Sequence, residues 1–318
     1  MTPAVQIRGL FKRYGSTMAV AGVDLDVEAG QIFGLVGPNG AGKTTTLRIL
    51  ATLLEPSAGE ARICGLDIFE RPNTVRRAIG YMPDTYGVYD DMRVWEYLDF
   101  FARVYAIGPE RRPAIVANLL ELVDLGSKRD AYVQALSRGM QQRLCLAHAL
   151  VHDPQVLLLD EPASGLDPCA RAELRELLRE LSALGKTIVI SSHILPELEE
   201  LCDAVAIMDR GRVLASGTID QIQARFSRGT VIRARILGAA DDWAAAESFL
   251  RGLPDVAAVT AFGGGHLEVA LAGDEDASAR VLFQAMSNNH RIASFAPVAS
   301  DLEELFLQIT APPGEVAA

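Results

Sequence analysis

The sequence has no run of eighteen or more apolar residues, so no segment predicts a bilayer-spanning helix. Its first residues lack the charged-then-apolar order of an export signal. Any work at a membrane is therefore expected to pass through a partner. Cysteine is scarce: Cys64, Cys145, Cys169 and Cys202 stand far apart, without CxxC spacing. A disulfide framework and a cysteine-built metal site are both unexpected, and a reducing cytoplasm fits. Positive charge is short as well. The 30 basic residues are outnumbered by 41 acidic ones, for a net charge of -11, and no basic block occurs. This balance argues against a protein that holds nucleic acid by neutralising phosphates.

What is present is apolar bulk: 49% of the 318 residues are hydrophobic, ample for two cores. Residues 4–220 alternate short apolar runs with helical patterns. Strands are expected at Val5–Leu10, Ala19–Val27 and Ile32–Val36, and a helix at Thr44–Leu54. Further helices are expected at Val94–Tyr105 and Arg111–Leu125, with Pro109 and Pro113 marking their connection. Val156–Leu159 and Thr187–Ile190 are unbroken apolar runs, as in central parallel strands covered on both faces. Asp209-Arg210-Gly211-Arg212 reads as a hairpin turn. After about residue 225 lysine disappears, and six arginines face twelve carboxylates. The order there is strand (Val231–Leu237), helix (Ala244–Arg251), strand (Val256–Phe262), strand (His266–Leu271), helix (Ala277–Asn288), strand (Ile292–Val298). That is a βαββαβ arrangement, with Gly263-Gly264-Gly265 turning between the middle strands. A closing helix is expected at Asp301–Ile309 and a disordered tail at 311–318.

Two motifs carry chemistry. Gly37-Pro38-Asn39-Gly40-Ala41-Gly42-Lys43-Thr44 matches GxxxxGK[ST] between a strand and a helix. Glycines there let backbone N–H groups turn inward around phosphate oxygens, and the helix adds its positive end. Lys43 can reach the β- and γ-phosphates of a bound nucleotide, and the Thr44 hydroxyl can ligate Mg²⁺. The second motif, Val156 to Pro162, ends an apolar strand on Asp160 and Glu161. At such a carboxyl end Asp160 is placed to hold Mg²⁺ and Glu161 to face an attacking water. The extension after residue 225 has no metal cluster, no nucleophile pair and no second phosphate loop.

Residues 4–220 also resemble the nucleotide-binding subunits of ABC transporters. Leu136-Ser137-Arg138-Gly139-Met140-Gln141-Gln142-Arg143 resembles the family signature, usually written LSGGQ. Ser164-Gly165-Leu166-Asp167 resembles the D-loop, His193 the switch histidine, and Tyr14 the aromatic that stacks on adenine. Ser137 is by itself a good N-cap. The resemblance implies that Ser137 and Gly139 meet the γ-phosphate held by a second subunit in a head-to-tail dimer. The phosphate loop, including Thr45, Tyr14 and Asp167 would then complete the ATP site, with Lys43, Glu161 and His193 as its catalytic groups. The implied fold is α/β: a P-loop NTPase of the ABC cassette type over residues 1–224, with a mixed sheet and a helical subdomain at about 85–150. A small α+β ferredoxin-like domain at 225–310 resembles an appendage of some export-type subunits.

Two positions depart from the family pattern. Asp84 follows Ile79–Pro83 where a glutamine is usual, and still counts among the expected Mg²⁺ ligands with Thr44 and Asp160. Arg138 and Met140 replace Gly and Gln in the signature. The aromatic-rich segment from Asp84 to Tyr105 is the expected groove for a helix of a membrane partner. His148 and His152 are expected to have no chemical role. The resemblance implies an ATPase bound to the cytoplasmic face of the cell membrane through a separate transmembrane permease subunit, powering export and pairing with a second copy, without nucleic acid. Alternatives are a soluble ABC ATPase or an ATP-gated binding module uncoupled from transport.

Overall fold

The computed structural model describes residues 3–85, 87, 91–226, 231–272 and 275–297. The chain divides into two compact units, the first ending at Ile219 and the second starting at Asp220. In the first, chain order is β1 (Val5–Tyr14), β2 (Thr17–Val27), β3 (Ile32–Val36), α1 (Lys43–Leu50), β4 (Ala58–Ile63), β5 (Leu66–Asp67), α2 (Pro72–Ala78) and β6 (Ile79–Met82). Then follow α3 (Val94–Val104), α4 (Arg112–Leu122), α5 (Arg138–Leu150), β7 (Val156–Asp160), α6 (Pro168–Ala183), β8 (Thr187–Ser192), α7 (Leu195–Glu199), β9 (Ala204–Asp209) and β10 (Arg212–Gly217).

The unbroken apolar runs become the middle of a six-stranded sheet, ordered β10-β9-β3-β8-β7-β6. Every residue of β3, β7 and β8 is buried, because both faces of these strands are covered. All neighbours are parallel except β10, which pairs antiparallel with β9. Parallel pairing has a consequence for function: β3, β7 and β8 all release their carboxyl ends at one edge. An antiparallel sheet, β2-β1-β4-β5, completes the unit. Its inward residues Val5, Ile7, Leu10, Val20 and Ile63 share a core with Phe33, Leu47 and Leu158.

The helices end where the backbone turns left-handed. The helix expected to reach Leu54 stops at Leu50, because Thr52 has φ 58° and Leu53 is exposed. Similarly α4 stops at Leu122, two residues before Asp124 at φ 54°. β4, β5 and α2 were not expected from the sequence pattern; β4 exposes four of its six residues and β5 has only two. The hairpin turn is as expected, with Arg210 and Gly211 both at positive φ and Asp209 opposite Arg212.

The second unit runs α8 (Ile219–Phe226), β11 (Val231–Ile236), α9 (Ala240–Arg251), β12 (Val256–Gly263), β13 (His266–Leu271), α10 (Glu275–Ser287) and β14 (Ile292–Pro297). The last six of these give the βαββαβ order, and the antiparallel sheet β12-β13-β11-β14 is the ferredoxin-like arrangement. Ile232, Ala234, Val259, Leu267 and Val269 of the sheet bury against Ala246, Leu250 and Val281 of the two helices. In the triple-glycine turn, a Cβ on Gly265 would lie 2.3 Å from the Ile236 carbonyl oxygen, so only glycine fits. The closing helix expected at 301–309 and the tail at 311–318 lie outside the described residues.

Candidate functional site

The loop from Gly37 to Gly42 is shaped by close packing. A Cβ on Gly37 would stand 2.2 Å from the Met208 carbonyl oxygen, so this approach of loop to β9 requires glycine. Gly42 has φ 104° and caps α1. The turn between β9 and β10 braces the loop: Gly211 N–H donates to Ala41 O at 2.9 Å, while Ala21 N–H donates to Gly211 O at 2.7 Å. Lys43 is only 5% exposed, although it is charged. Its Nζ donates to Gly37 O at 2.6 Å and lies 3.4 Å from Glu161 Oε1. Burial of such a cation demands partners of this kind, and phosphate oxygens would be stronger ones. Thr44 and Thr45 occupy the first turn of α1 and are half-buried.

Asp160 ends β7 two strands away from the loop-bearing β3. Thr44 Oγ1 nonetheless donates to Asp160 Oδ1 at 3.0 Å, and Ser191 Oγ donates to the same oxygen at 2.7 Å. Asp160 Oδ2 is buried and has no hydrogen-bond partner. Desolvation raises the Asp160 pKa, opposed by the bonds from Ser191 and Thr44 and reinforced by the charges of Asp84 and Glu161. A buried carboxylate with one oxygen doubly bonded and the other left over fits a hard cation. Asp84 is exposed and acts on Asp160 through its charge. Among the described residues no cluster of three or more His, Cys, Asp or Glu could hold a metal by itself. Water and phosphate oxygens would have to supply the remaining ligands.

Glu161 leaves the strand with φ 49°, a left-handed backbone that is uncommon for a non-glycine residue. This kink swings its carboxylate back between Lys43 and His193. Oε1 faces Lys43, and Oε2 accepts from His193 Nδ1 at 2.9 Å. An ionised carboxylate only accepts, so the proton sits on Nδ1 and Nε2 is left as an acceptor unless the ring is charged. His193 is exposed, just beyond the end of β8.

Ser137 caps α5 as expected, its Oγ accepting from Met140 N–H at 3.3 Å. Leu144, Ala147 and Val151 face the core. Asp167 caps α6 by accepting from Ala170 N–H at 2.9 Å. Ser137, Gly139 and Asp167 line one groove of about 620 Å³, with Arg138, Arg143 and Glu173. Tyr14 closes β1 with its ring 48% exposed and Lys12 Nζ 5.2 Å from the ring centre. The site residues thus form a phosphate-loop group and a signature group, each assembled around helix N-termini.

The aromatic segment is largely spent on packing. Tyr97 is buried, Phe101 stacks on His148 at 3.6 Å, and Tyr105 stacks on His152 at 3.8 Å. The two histidines therefore have a structural role. Burial, followed by the charge of His152, lowers the His148 pKa to about 4. Phe100 and Val104 remain exposed on α3, while Tyr86 and Tyr89 lie outside the described residues. Sequence reasoning missed Ser191 and Gly211. A serine closing an apolar strand and a glycine in a hairpin carry no signal of what lies across from them.

A family model described as "ABC transporter" matches residues 20–164, and one described as "ATP-binding protein DrrA1-3-like, C-terminal domain" matches residues 217–310. The daunorubicin/doxorubicin resistance ATP-binding protein of Streptomyces peucetius is 35% identical over 99% of this chain and 94% of its own. The Nod factor export ATP-binding protein I of Burkholderia orbicola is 45% identical over 67% of this chain and 70% of its own. A solved ATP-binding subunit of an ABC transporter superposes with TM-score 0.65 and 32% identity, over 70% of this chain and 93% of that one. A dimeric bacterial ABC transporter cassette, at 24% identity and TM-score 0.63 over 68% and 98%, shares the fold. The chain belongs to the ABC transporter family as an ATP-binding, ATP-hydrolysing subunit of the export type.

Proposed function

We propose that the chain hydrolyses Mg-ATP at two composite sites formed by two head-to-tail copies, and that this cycle drives a separate transmembrane export subunit from the cytoplasmic face of the membrane. The observation that carries the reading is the convergence of Lys43, Thr44, Asp160, Glu161 and His193 at one sheet edge through contacts of 2.9–3.4 Å. The cassette spans residues 1–224, with a helical subdomain at about 85–150, and the accessory domain spans 225–310.

Thr44 Oγ1 and Asp160 Oδ2 are the protein ligands on offer for Mg²⁺, with Asp84 acting at longer range. Mg²⁺ bound there supplies charge neutralisation at the β- and γ-phosphates. The loop amides of residues 37–42 and the start of α1 bind the phosphates, with Lys43 placed to exchange its loop carbonyls for γ-phosphate oxygens. Glu161 orients the attacking water and takes its proton, and His193 fixes Glu161 from the other side. Tyr14 offers a ring face to adenine. Ser137 and Gly139, at the start of α5, present helix N–H groups to the γ-phosphate of the second copy.

Relatives named for Nod factor export and for daunorubicin/doxorubicin resistance favour export over a soluble or uncoupled ATPase. In this family the translocation path lies in the membrane subunits, so the exported compound would be selected there. The deciding experiment is Glu161→Gln. This variant should bind ATP, lose at least about a hundredfold in hydrolysis, and run as a dimer by light scattering in Mg-ATP but as a monomer without nucleotide. Hydrolysis at the parent rate, or a monomer at saturating Mg-ATP in both the isolated subunit and the assembled transporter, would sink the reading.

A further inference from the structure

Ser191 lies fully buried near the end of β8, the strand between the loop-bearing β3 and the carboxylate strand β7. In the β7–β8 register it stands directly opposite Asp160. Its hydroxyl makes two bonds in two directions. Oγ donates to Asp160 Oδ1 at 2.7 Å and accepts from the Glu161 backbone N–H at 2.9 Å. One small side chain thereby touches both carboxylates of the motif.

Each bond settles something the motif leaves open. Asp160 Oδ1 already accepts from Thr44, so the second donor saturates it and locks the carboxylate plane. Oδ2 is then the oxygen left buried and unpartnered, turned to one fate only. Without Ser191, the carboxylate can rotate about χ2 and share its two oxygens differently. The second bond acts on Glu161. Its left-handed φ of 49° is strained for a residue with a side chain and persists only where the surroundings enforce it. A side-chain acceptor for its N–H, beyond the last ladder pair, is such an enforcement. The kink is what carries the Glu161 carboxylate back onto Lys43 and His193.

We propose that Ser191 is a positioning residue for ATP hydrolysis, which presents Asp160 Oδ2 to the metal and holds Glu161 in its kinked conformation. The inference rests on the roles given above to Asp160 and Glu161. Ser191 is not a catalytic residue, because its hydroxyl is consumed by the protein.

The test uses the full chain carrying Ser191→Ala, Ser191→Cys or Ser191→Thr, beside Asp160→Asn and Glu161→Gln. The Mg²⁺ concentration for half-maximal ATPase should rise about tenfold or more in the alanine and cysteine variants, and kcat should fall about tenfold or more. ATP affinity in excess EDTA should stay within about twofold, because Lys43 and the loop amides are untouched. Ser191→Thr keeps the hydroxyl and should restore both quantities to within about threefold of the parent. The cysteine variant has nearly the parent shape and decides the matter if the alanine variant does not fold. Parent kcat and parent Mg²⁺ requirement in Ser191→Cys would overturn the proposal. So would equal loss of metal-free ATP binding and hydrolysis, which marks general damage to the site. Parent-rate hydrolysis by Asp160→Asn and Glu161→Gln would instead sink the site assignment beneath it.

Discussion

The guanidinium of Arg138 lies against Gly165, so that a Cβ on Gly165 would come within 2.6 Å of Arg138 Cζ. The contact ties the start of α5, beside Ser137, to the loop that ends on Asp167. It also explains how the signature tolerates arginine where glycine is usual: a glycine opposite makes the room. Two terms oppose Gly165→Ala. One is the clash, which is cheap because the end of an arginine side chain can swing away. The other is backbone strain, since Gly165 has φ 71°. Strain should dominate, at about 1–2 kcal/mol. The expected loss of stability by denaturant titration is therefore nearly the same in the parent and in an Arg138→Gly background. Rescue by Arg138→Gly would show that the contact, not the backbone, sets the cost.

His148 makes folding pH-dependent. Stacked on Phe101 and largely desolvated, it has its pKa pushed down to about 4 from the ordinary histidine value of about 6.5. Between those values the unfolded chain binds the extra proton, so stability is complete above about pH 6.5 and falls as pH drops towards 4. His148→Phe keeps a ring against Phe101 and removes the titration. At pH 5 the parent should have lost about 2 kcal/mol more than this variant, relative to pH 7.5. Parallel pH profiles for the two proteins would contradict the assignment.

Asp84 is expected to tune the cycle and not to be indispensable to it. It is exposed, and its influence on Asp160 is through charge. Lys43, Thr44, Asp160 and Glu161 already provide the contacts that phosphoryl transfer chiefly demands. Asp84→Gln should leave kcat within about tenfold of the parent, a barrier change of roughly 1.4 kcal/mol. Asp84→Ala should reduce transport in the assembled system more than ATPase in the isolated subunit. Complete loss of ATPase with ATP binding intact would make Asp84 a catalytic residue.

Lys43→Ala should act on binding instead. The buried ammonium is held by loop carbonyls and Glu161, ready for phosphate. Removing it leaves the Glu161 charge facing the phosphates with its counter-charge gone. ATP affinity, measured by equilibrium titration in EDTA, should fall about tenfold or more. Unchanged affinity with lost hydrolysis would move Lys43 from binding to the chemical step alone.

Much of this protein is written locally. The phosphate loop, the acidic end of Val156–Asp160, the Ser137 cap and the βαββαβ order all rest on spacing and on residue type within a few positions of each other. Backbone sterics and hydrogen bonding act at that range, so these features were legible in the residues alone, together with the change of character near residue 225 and the acidic balance of the chain. Short, half-exposed elements such as β4 and α2 escaped, because their apolar pattern is too brief to stand out. The stacking of His148 and His152 on Phe101 and Tyr105 escaped for another reason: it joins the end of α3 to the end of α5 across more than forty residues. The site itself was decided by strand order. β8 comes after β7 in the chain yet inserts between β7 and β3, which puts Ser191 against Asp160 and within reach of Glu161, and brings Thr44 to Asp160 across 116 residues. No local propensity encodes which strand lies beside which. That choice belongs to the burial of whole apolar strands on both faces, and only the tertiary structure made it.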